Sequence, residues 1–162
     1  MSMHLQLFDT GTLQAYAVQG SIFEEKSVDV LAFFQYYGCA KLPIDLLRYM
    51  DEQRYEFAEK VFTPCEGKQG DVKDWYFVDS HKSVVDEAEA NDMIWDFLDA
   101  VAKKGYSSIA MNGIRTDGDS EYDNVRAIRE WAVAHPGSSI KTVLLVDLRG
   151  GFNKLAKAQP PK

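Results

Sequence analysis

The segment from Asn112 to Ser120 carries the residue types that proteins use to hold phosphate. Its sequence, Asn-Gly-Ile-Arg-Thr-Asp-Gly-Asp-Ser, contains two glycines, Gly113 and Gly118, which let backbone amides approach an anion closely. A helix predicted to begin at about Ser120 presents unpaired amides at its start, and Arg115 adds a positive charge. The segment therefore has the make-up of an anion-binding loop.

The same segment also has the composition of an ordinary turn in front of a helix. Asp117, Asp119 and Glu121 would repel a phosphate, and Asp-Gly-Asp-Ser is typical of a turn followed by a helix N-cap. The residues alone leave the anion site and the plain turn equally open.

Metal and nucleophile chemistry have weaker support in the sequence. Asp117 and Asp119 lack the further oxygens and the closing glutamate of a calcium loop, so we expect no metal site. Cys39 follows a predicted strand, next to Gly38, where a nucleophile could stand, but no base is recognisable beside it. Because the chain has no Walker loop, nucleophile elbow or dinucleotide fingerprint, we expect no cofactor.

These residues must be positioned by an alternating series of strands and helices. Apolar or alternating segments predict strands at residues 4–8, 13–18, 28–34, 75–78, 107–111 and 140–146. Helical spacing predicts helices from Pro43 to about Val61, from about residue 86 to 104 and from about residue 120 to 134. This order predicts a three-layer α/β/α sandwich with a mixed, largely parallel sheet of about six strands. Residues 1–155 are expected to form this single domain, and residues 156–162 a flexible tail within a loosely held stretch that begins at Asn153.

In an open α/β sheet, ligands collect beyond the carboxyl ends of the strands. Three predicted segments lie there, beginning at Gln35, Asn112 and Asp147. The rings that these segments offer to a planar base are those of Tyr36, Tyr37, Tyr122 and Phe152.

The charge balance narrows the range of partners. The 162 residues include 18 basic and 25 acidic side chains, a formal charge of -7, which disfavours general nucleic-acid binding and suits a basic protein partner. No apolar run approaches the roughly 20 residues that cross a bilayer, so we expect no membrane insertion. The first residues have no secretory signal, and we expect a cytoplasmic location.

Taken in order, these elements resemble a macro domain, the α/β module that binds ADP-ribose. Residues 19–22 (Gln-Gly-Ser-Ile) and 28–32 (Val-Asp-Val-Leu-Ala) are similar to the family's Gly-Asp-Ile turn and its next strand. Residues 106–118 resemble its Ser-Ile-Ala-Phe-Pro strand and glycine-rich phosphate loop, and residues 140–152 resemble its last strand and the aromatic that flanks adenine. The matching order spans roughly residues 13–155. The resemblance implies phosphate contacts from Gly113, Thr116 and Gly118, adenine contacts from Ser21 and Ile22, and stacking by Phe152.

The chain also departs from the family's pattern. Ser21 stands where the family has an adenine-binding aspartate, residues 33–38 replace its Asn-Ala-Ala-Asn loop, and a glycine run is missing before Pro43. These losses would disable an ordinary ADP-ribose hydrolase. The resemblance therefore implies a divergent macro-like domain that binds a nucleotide or ADP-ribose-like ligand without strong catalysis.

Two arguments, the position of residues after the strands and the resemblance to macro domains, together give one set of residues expected to contact a ligand. Its members are Ser21, Ile22, Gln35, Tyr36, Gly113, Arg115, Thr116, Gly118, Tyr122 and Phe152. Two other functions stay open at this point: a protein-interaction module that has lost its small-molecule site, and a hydrolase that uses Asp117, Asp119 or Cys39 in a non-standard site.

Overall fold

A seven-stranded mixed sheet forms the centre of the molecule. The computed structural model describes residues 4–22, 25, 27–35, 60–62, 72–79 and 82–158. The strands are β1 (His4–Asp9), β2 (Gln14–Gln19), β3 (Val30–Gln35), β4 (Lys60–Phe62), β5 (Asp74–Asp79), β6 (Ser108–Met111) and β7 (Thr142–Asp147). Their order across the sheet is β1-β2-β7-β6-β3-β5-β4. The five inner strands run parallel, and β1 and β4 pair antiparallel with β2 and β5 at the two edges.

The register of the inner strands aligns apolar residues into a continuous core layer. One row of paired residues crosses all five strands and is buried throughout, namely Ala17, Leu145, Met111, Ala32 and Tyr76. The neighbouring row faces the other side, and its Leu144, Ala110 and Leu31 are also buried. Both faces of the inner strands are therefore covered, as their near-continuous apolar sequences predict.

The described helices pack on the face that carries the first row. They are α1 (Glu87–Lys103), α2 (Ser120–Ala134) and α3 (Gly151–Ala158). Asp86 caps the start of α1 with a capping box. The Glu89 amide donates to the Asp86 carboxylate, and the Asp86 amide donates to the Glu89 carboxylate. Two indole bonds tie α1 to α2, from Trp95 to the Ala127 carbonyl at 3.0 Å and from Trp131 to the Asp99 carboxylate at 2.9 Å. None of these described helices is both long and apolar enough to cross a membrane.

The structure confirms the α/β fold and the mixed, largely parallel sheet, with seven strands where the sequence predicts about six. The extra strand, β4, corrects the helix predicted to run to Val61, because Val61 pairs instead with Tyr76 on β5. The rest of that predicted helix lies outside the described residues, so the second helical layer stays a prediction.

The loose stretch predicted from Asn153 is wrong as far as Ala158, because α3 continues to that residue. The helix is held by its apolar side: Phe152 is buried, and Leu155 and Ala156 pack against the core at helical spacing. The single-domain prediction is not affected by this correction and stays a prediction.

Candidate functional site

The carboxyl ends of the inner strands bring the predicted loops to one edge of the sheet, called here the carboxyl edge. Parallel β2, β7, β6 and β3 end there at Gln19, Asp147, Met111 and Gln35. The Gly20 amide donates to the Asp147 carbonyl at 3.1 Å, which ties the segment after β2 to the end of β7. The loops after β2, β6 and β7 therefore meet at one edge.

The loop after β6, residues 112–119, is anchored at its start by Asn112. The side-chain oxygen of Asn112 accepts from the Phe34 amide at 2.8 Å, and its NH₂ group donates to the Phe34 carbonyl at 3.0 Å. The Asn112 carboxamide thus pairs both backbone groups of Phe34 just beyond Met111, the last residue of β6. Asn112 therefore extends the sheet by a side chain while the backbone turns away into the loop.

Asn124, on the buried side of α2, clamps the middle of the same loop. Its side-chain oxygen accepts from the Ile114 amide at 2.8 Å, and its NH₂ group donates to the Ile114 carbonyl at 2.7 Å and to the Ser120 carbonyl at 2.6 Å. Asn124 is only 1% exposed, so these polar groups are paired with one another away from water. Neither this clamp nor the Asn112 bridge was predicted from the sequence.

Gly113 is required by the packing beneath the loop. Its φ of +86° lies in the left-handed region, and a Cβ there would stand 3.0 Å from Phe152 Cζ and 3.1 Å from Asn124 Oδ1. The Phe152 ring is 4% exposed and belongs to the hydrophobic core. The stacking predicted for Phe152 therefore does not fit its position, because the ring supports the loop from below instead of facing a ligand.

Thr116 is also engaged within the loop. Its hydroxyl donates to Asp123 Oδ2 at 2.7 Å, and its amide donates to the Ser120 hydroxyl at 2.9 Å. Backbone bonds join the flanking residues to Val85: the Val85 amide donates to the Arg115 carbonyl at 3.1 Å, and the Asp117 amide donates to the Val85 carbonyl at 3.0 Å. These contacts hold the loop in one conformation and occupy the Thr116 side chain that the resemblance assigns to phosphate.

The remaining predicted contacts divide between exposed and covered positions. Arg115 and Gly118 are exposed, and the Tyr122 side chain is 43% exposed in the first turn of α2. Ser21 is half-buried and Ile22 is buried. The side chain of Gln35, and the whole of Tyr36 and Cys39, lie outside the described residues.

Acidic side chains accept hydrogen bonds from amides at the starts of α2 and α3. Asp119 accepts from the Tyr122 amide at 3.2 Å at the start of α2. Asp147 accepts from the Gly151 amide at 2.9 Å, at the first residue of α3, and from the Arg149 amide at 3.0 Å, in the turn before that helix. Asp119 is thus the N-cap of α2, as in the plain-turn interpretation of the Asp-Gly-Asp-Ser segment, and Asp147 accepts from the first amide of α3 in the same way.

A groove beside this edge is lined by charged residues of α1 and α2. It encloses about 630 Å³, and its charged lining consists of Asp86, Glu87, Asp92, Asp117, Glu130 and Arg126. Arg126 is paired with Glu87 and lies 3.8 Å from Glu130. The groove is therefore acidic overall. Within the part of the chain that the structure describes, no group of histidine, cysteine and acidic side chains is arranged to hold a metal ion.

A polar cluster lies at the opposite, amino edge of the sheet. The buried Asp74 carboxylate accepts from the Tyr106 hydroxyl and from Lys104 Nζ, the latter at 3.2 Å. Burial, and then the adjacent Asp74 charge, raise the pKa of Tyr76 to about 12, and burial together with the Asp74 hydrogen bond does the same for Tyr106. This cluster ties the end of α1 to β5 at the edge opposite the predicted ligand loops.

Several solved structures that share this fold are macrodomains. A Trypanosoma brucei macrodomain in complex with ADP-ribose matches with a TM-score of 0.67 at 11% identity, over 89% of this chain and 68% of that chain. The macro domain of ganglioside induced differentiation associated protein 2 matches with a TM-score of 0.62 at 13% identity, over 92% and 86%. An Oceanobacillus iheyensis macrodomain variant with ADPR matches with a TM-score of 0.62 at 14% identity, over 98% of each chain.

The likeness lies in the fold and not in the sequence. No protein-family model and no curated protein matches this chain. The predicted resemblance to a divergent macro domain is therefore confirmed by the backbone arrangement.

Proposed function

We propose, from its macrodomain fold, that this chain is a divergent macro-like module that binds a nucleotide or ADP-ribose-like ligand at the carboxyl edge, without strong catalysis. The observation that carries the proposal is the fold match, because structural neighbours are described in complex with ADP-ribose, ADPR or ADP. Ligands of open α/β sheets bind at this edge.

The anchored loop after β6 supports the proposal. Asn112 and Asn124 fix its start and its middle, so a ligand would meet a loop that needs no further ordering. Exposed Gly118 and Arg115 stand in this loop, and Ser21 follows β2 beside the bond that joins Gly20 to Asp147. Gly118, Arg115 and Ser21, with exposed Tyr122, are the described residues that we assign to direct ligand contact.

The bonding within the loop supports weak or absent catalysis. The Thr116 hydroxyl, the Ser120 hydroxyl and the Asp123 carboxylate are hydrogen-bonded to one another or to the loop backbone. Groups held in this way position the loop and are not free to activate a water. Of the two described carboxylates considered for a hydrolase, Asp119 caps α2, while Asp117 is exposed and lines the acidic groove.

Calorimetric titration with ADP-ribose tests the proposal, with two glycine variants as a matched pair. Gly118→Glu places a carboxylate at the loop tip, where a Cβ has only an ordinary 3.4 Å contact to Asp123 Oδ2. Gly137→Glu is the control, because a Cβ there meets nothing within 4 Å and the residue lies in the turn after α2.

We expect micromolar binding by the unmodified chain and by Gly137→Glu. Gly118→Glu should weaken binding at least about tenfold, because its side chain fills the space before the loop and its charge repels phosphate. Circular dichroism checks that both variants are folded. An absence of binding heat with ADP-ribose and with other nucleotides would contradict the proposal.

The acidic groove favours one second candidate, a module that docks a basic protein segment. Its five carboxylates outnumber its single arginine, which suits a lysine- and arginine-rich peptide. Titration with such a peptide tests this candidate. The double variant Asp92→Asn with Glu130→Gln should weaken peptide binding. Nucleotide binding without peptide binding would exclude it.

A further inference from the structure

Several backbone amides that a phosphate loop would turn toward an anion are already hydrogen-bonded within this chain. The Ile114 amide donates to Asn124, the Thr116 amide to the Ser120 hydroxyl, and the Asp117 amide to the Val85 carbonyl. An amide that is already paired offers little to a phosphate oxygen, because the existing bond would have to break first.

The helix starts at the same edge are occupied by carboxylates of the chain itself. Asp119 accepts from an amide of the first turn of α2, and Asp147 accepts from the amide of Gly151, the first residue of α3, and from that of Arg149 just before the helix. A carboxylate at this position pairs with the amides and offsets the positive end of the helix dipole. Both features that draw phosphate to a helix start are thereby reduced.

Carboxylates also stand close to the glycines where a phosphate would approach the backbone. Asp123 Oδ2 lies 3.4 Å from the position a Cβ would take on Gly118. Glu121 Oε1 and Asp147 Oδ2 lie 2.6 and 2.9 Å from the corresponding position on Gly151. Residues 112–123 and 147–151 together hold five acidic and two basic side chains, so this part of the edge is negatively charged.

From these contacts we infer that the site selects against phosphate charge and prefers a nucleoside to a nucleoside diphosphate. The inference rests on the proposed function and specifies the class of ligand. Carboxylates accept hydrogen bonds, and they match the hydroxyl and amine donors of a nucleoside, whereas phosphate oxygens are acceptors and find few partners here. Each added phosphate brings negative charge toward an edge that is already negative.

Calorimetry with adenosine, AMP and ADP on the full unmodified chain, in low and in high sodium chloride, tests the inference. We expect affinity to fall at least about threefold with each added phosphate in low salt. Salt should strengthen ADP binding and leave adenosine binding nearly unchanged, because screening removes a repulsion. In a site built for phosphate the salt effect has the opposite sign.

The outcomes separate this inference from the proposed function. If ADP binds more tightly than adenosine and salt weakens it, the proposed function holds and the inference is wrong. If none of the three ligands and no ADP-ribose binds, both are wrong. If adenosine binds most tightly and salt strengthens ADP, both are supported.

Two neutralising variants test whether the named carboxylates carry the effect. Asp117→Asn and Glu121→Gln remove charges that cap neither helix, and together they should raise the ratio of ADP to adenosine affinity about threefold to tenfold. Asp96→Asn is the control, because Asp96 is exposed on α1, nine residues beyond the start of that helix at Glu87. An unchanged ratio in the double variant, with ADP binding measurable, would overturn the assignment.

Discussion

Replacing Asn124 by alanine is expected to be costly, because the side chain pairs three groups inside the protein. The substitution removes the bonds to the Ile114 amide and carbonyl and to the Ser120 carbonyl. Ile114 is 4% exposed, so water has little access to either of its freed groups. The Ser120 carbonyl is less affected, because it lies at the start of α2 and can still accept the helical hydrogen bond from the backbone amide four residues later.

The magnitude follows from these two orphaned groups. A buried donor or acceptor left without a partner costs about 1–3 kcal/mol, which gives about 2–6 kcal/mol for the Ile114 pair. Alanine is the better helix former and returns about 0.5 kcal/mol. The free energy of unfolding should therefore fall by about 1.5–5.5 kcal/mol.

Urea denaturation followed by tryptophan fluorescence measures the change, since Trp131 is fully buried between α2 and the core. Asn91→Ala is the matched control: Asn91 is half-buried on α1, and none of the described hydrogen bonds involves its side chain. Asn124→Asp keeps the acceptor for the Ile114 amide and loses the donors, so it separates the two halves of the clamp. If Asn124→Ala and Asn91→Ala unfold within about 1 kcal/mol of each other, the clamp does not stabilise the loop as argued.

Two further predictions concern the adenine end of the site and the acid stability of the fold. Ser21→Asp should tighten ADP-ribose binding about tenfold or more in calorimetry, because an ionised acceptor would face the adenine amine. The control, Ser83→Asp at an exposed position, should leave the affinity unchanged. If Ser21→Asp and the unmodified chain bind ADP-ribose equally tightly, Ser21 does not face adenine. Burial alone would raise the pKa of Asp29, but hydrogen bonds from the Ser107 amide and hydroxyl and the Lys73 charge outweigh it and hold that pKa below its ordinary value of 3.8. The stabilisation from ionised Asp29 is therefore present above pH 3.8 and is lost as the pH falls through the lowered pKa. In urea denaturation, Asp29→Asn should be less stable than the unmodified chain at pH 7, and the difference should shrink toward pH 2. A difference in stability that does not depend on pH would contradict this.

The strongly patterned elements could be predicted from the sequence. Helices α1 and α2 each carry an apolar side, an acidic N-cap and a stop, and the structure places them within a residue of their predicted limits. The strand β4 could not be predicted, because Val61 continues the helical spacing of the residues before it. The extended conformation of Lys60–Phe62 depends on their pairing with β5. Helix α3 follows Gly150 and is stabilised by the packing of Phe152 into the hydrophobic core, a long-range interaction that no local pattern reveals.

The candidate site shows the same division between local and long-range information. The location of the loop followed from the rule that parallel strands end together, which depends only on strand order. The hydrogen-bond partners of the loop could not be predicted from the sequence, because they are distant along the chain. Asn112 bonds to Phe34, 78 residues away, and Val85 bridges to Thr116 from a separate segment. A buried asparagine beside Val125 on the apolar side of α2 was the one local sign of the clamp.

The position of β7 between β2 and β6 also sets the order in which the sheet can be completed during synthesis. Gln14 pairs with Thr142, so the β1–β2 hairpin must wait for residues 142–147 before it can join β6 and the strands beyond it. Until then β2 and β6 both present unpaired, largely apolar edges, the kind of surface that pairs wrongly with other chains. A ribosome would release these edges long before their shared partner, so closure of the sheet is a late folding step governed by contacts distant in sequence.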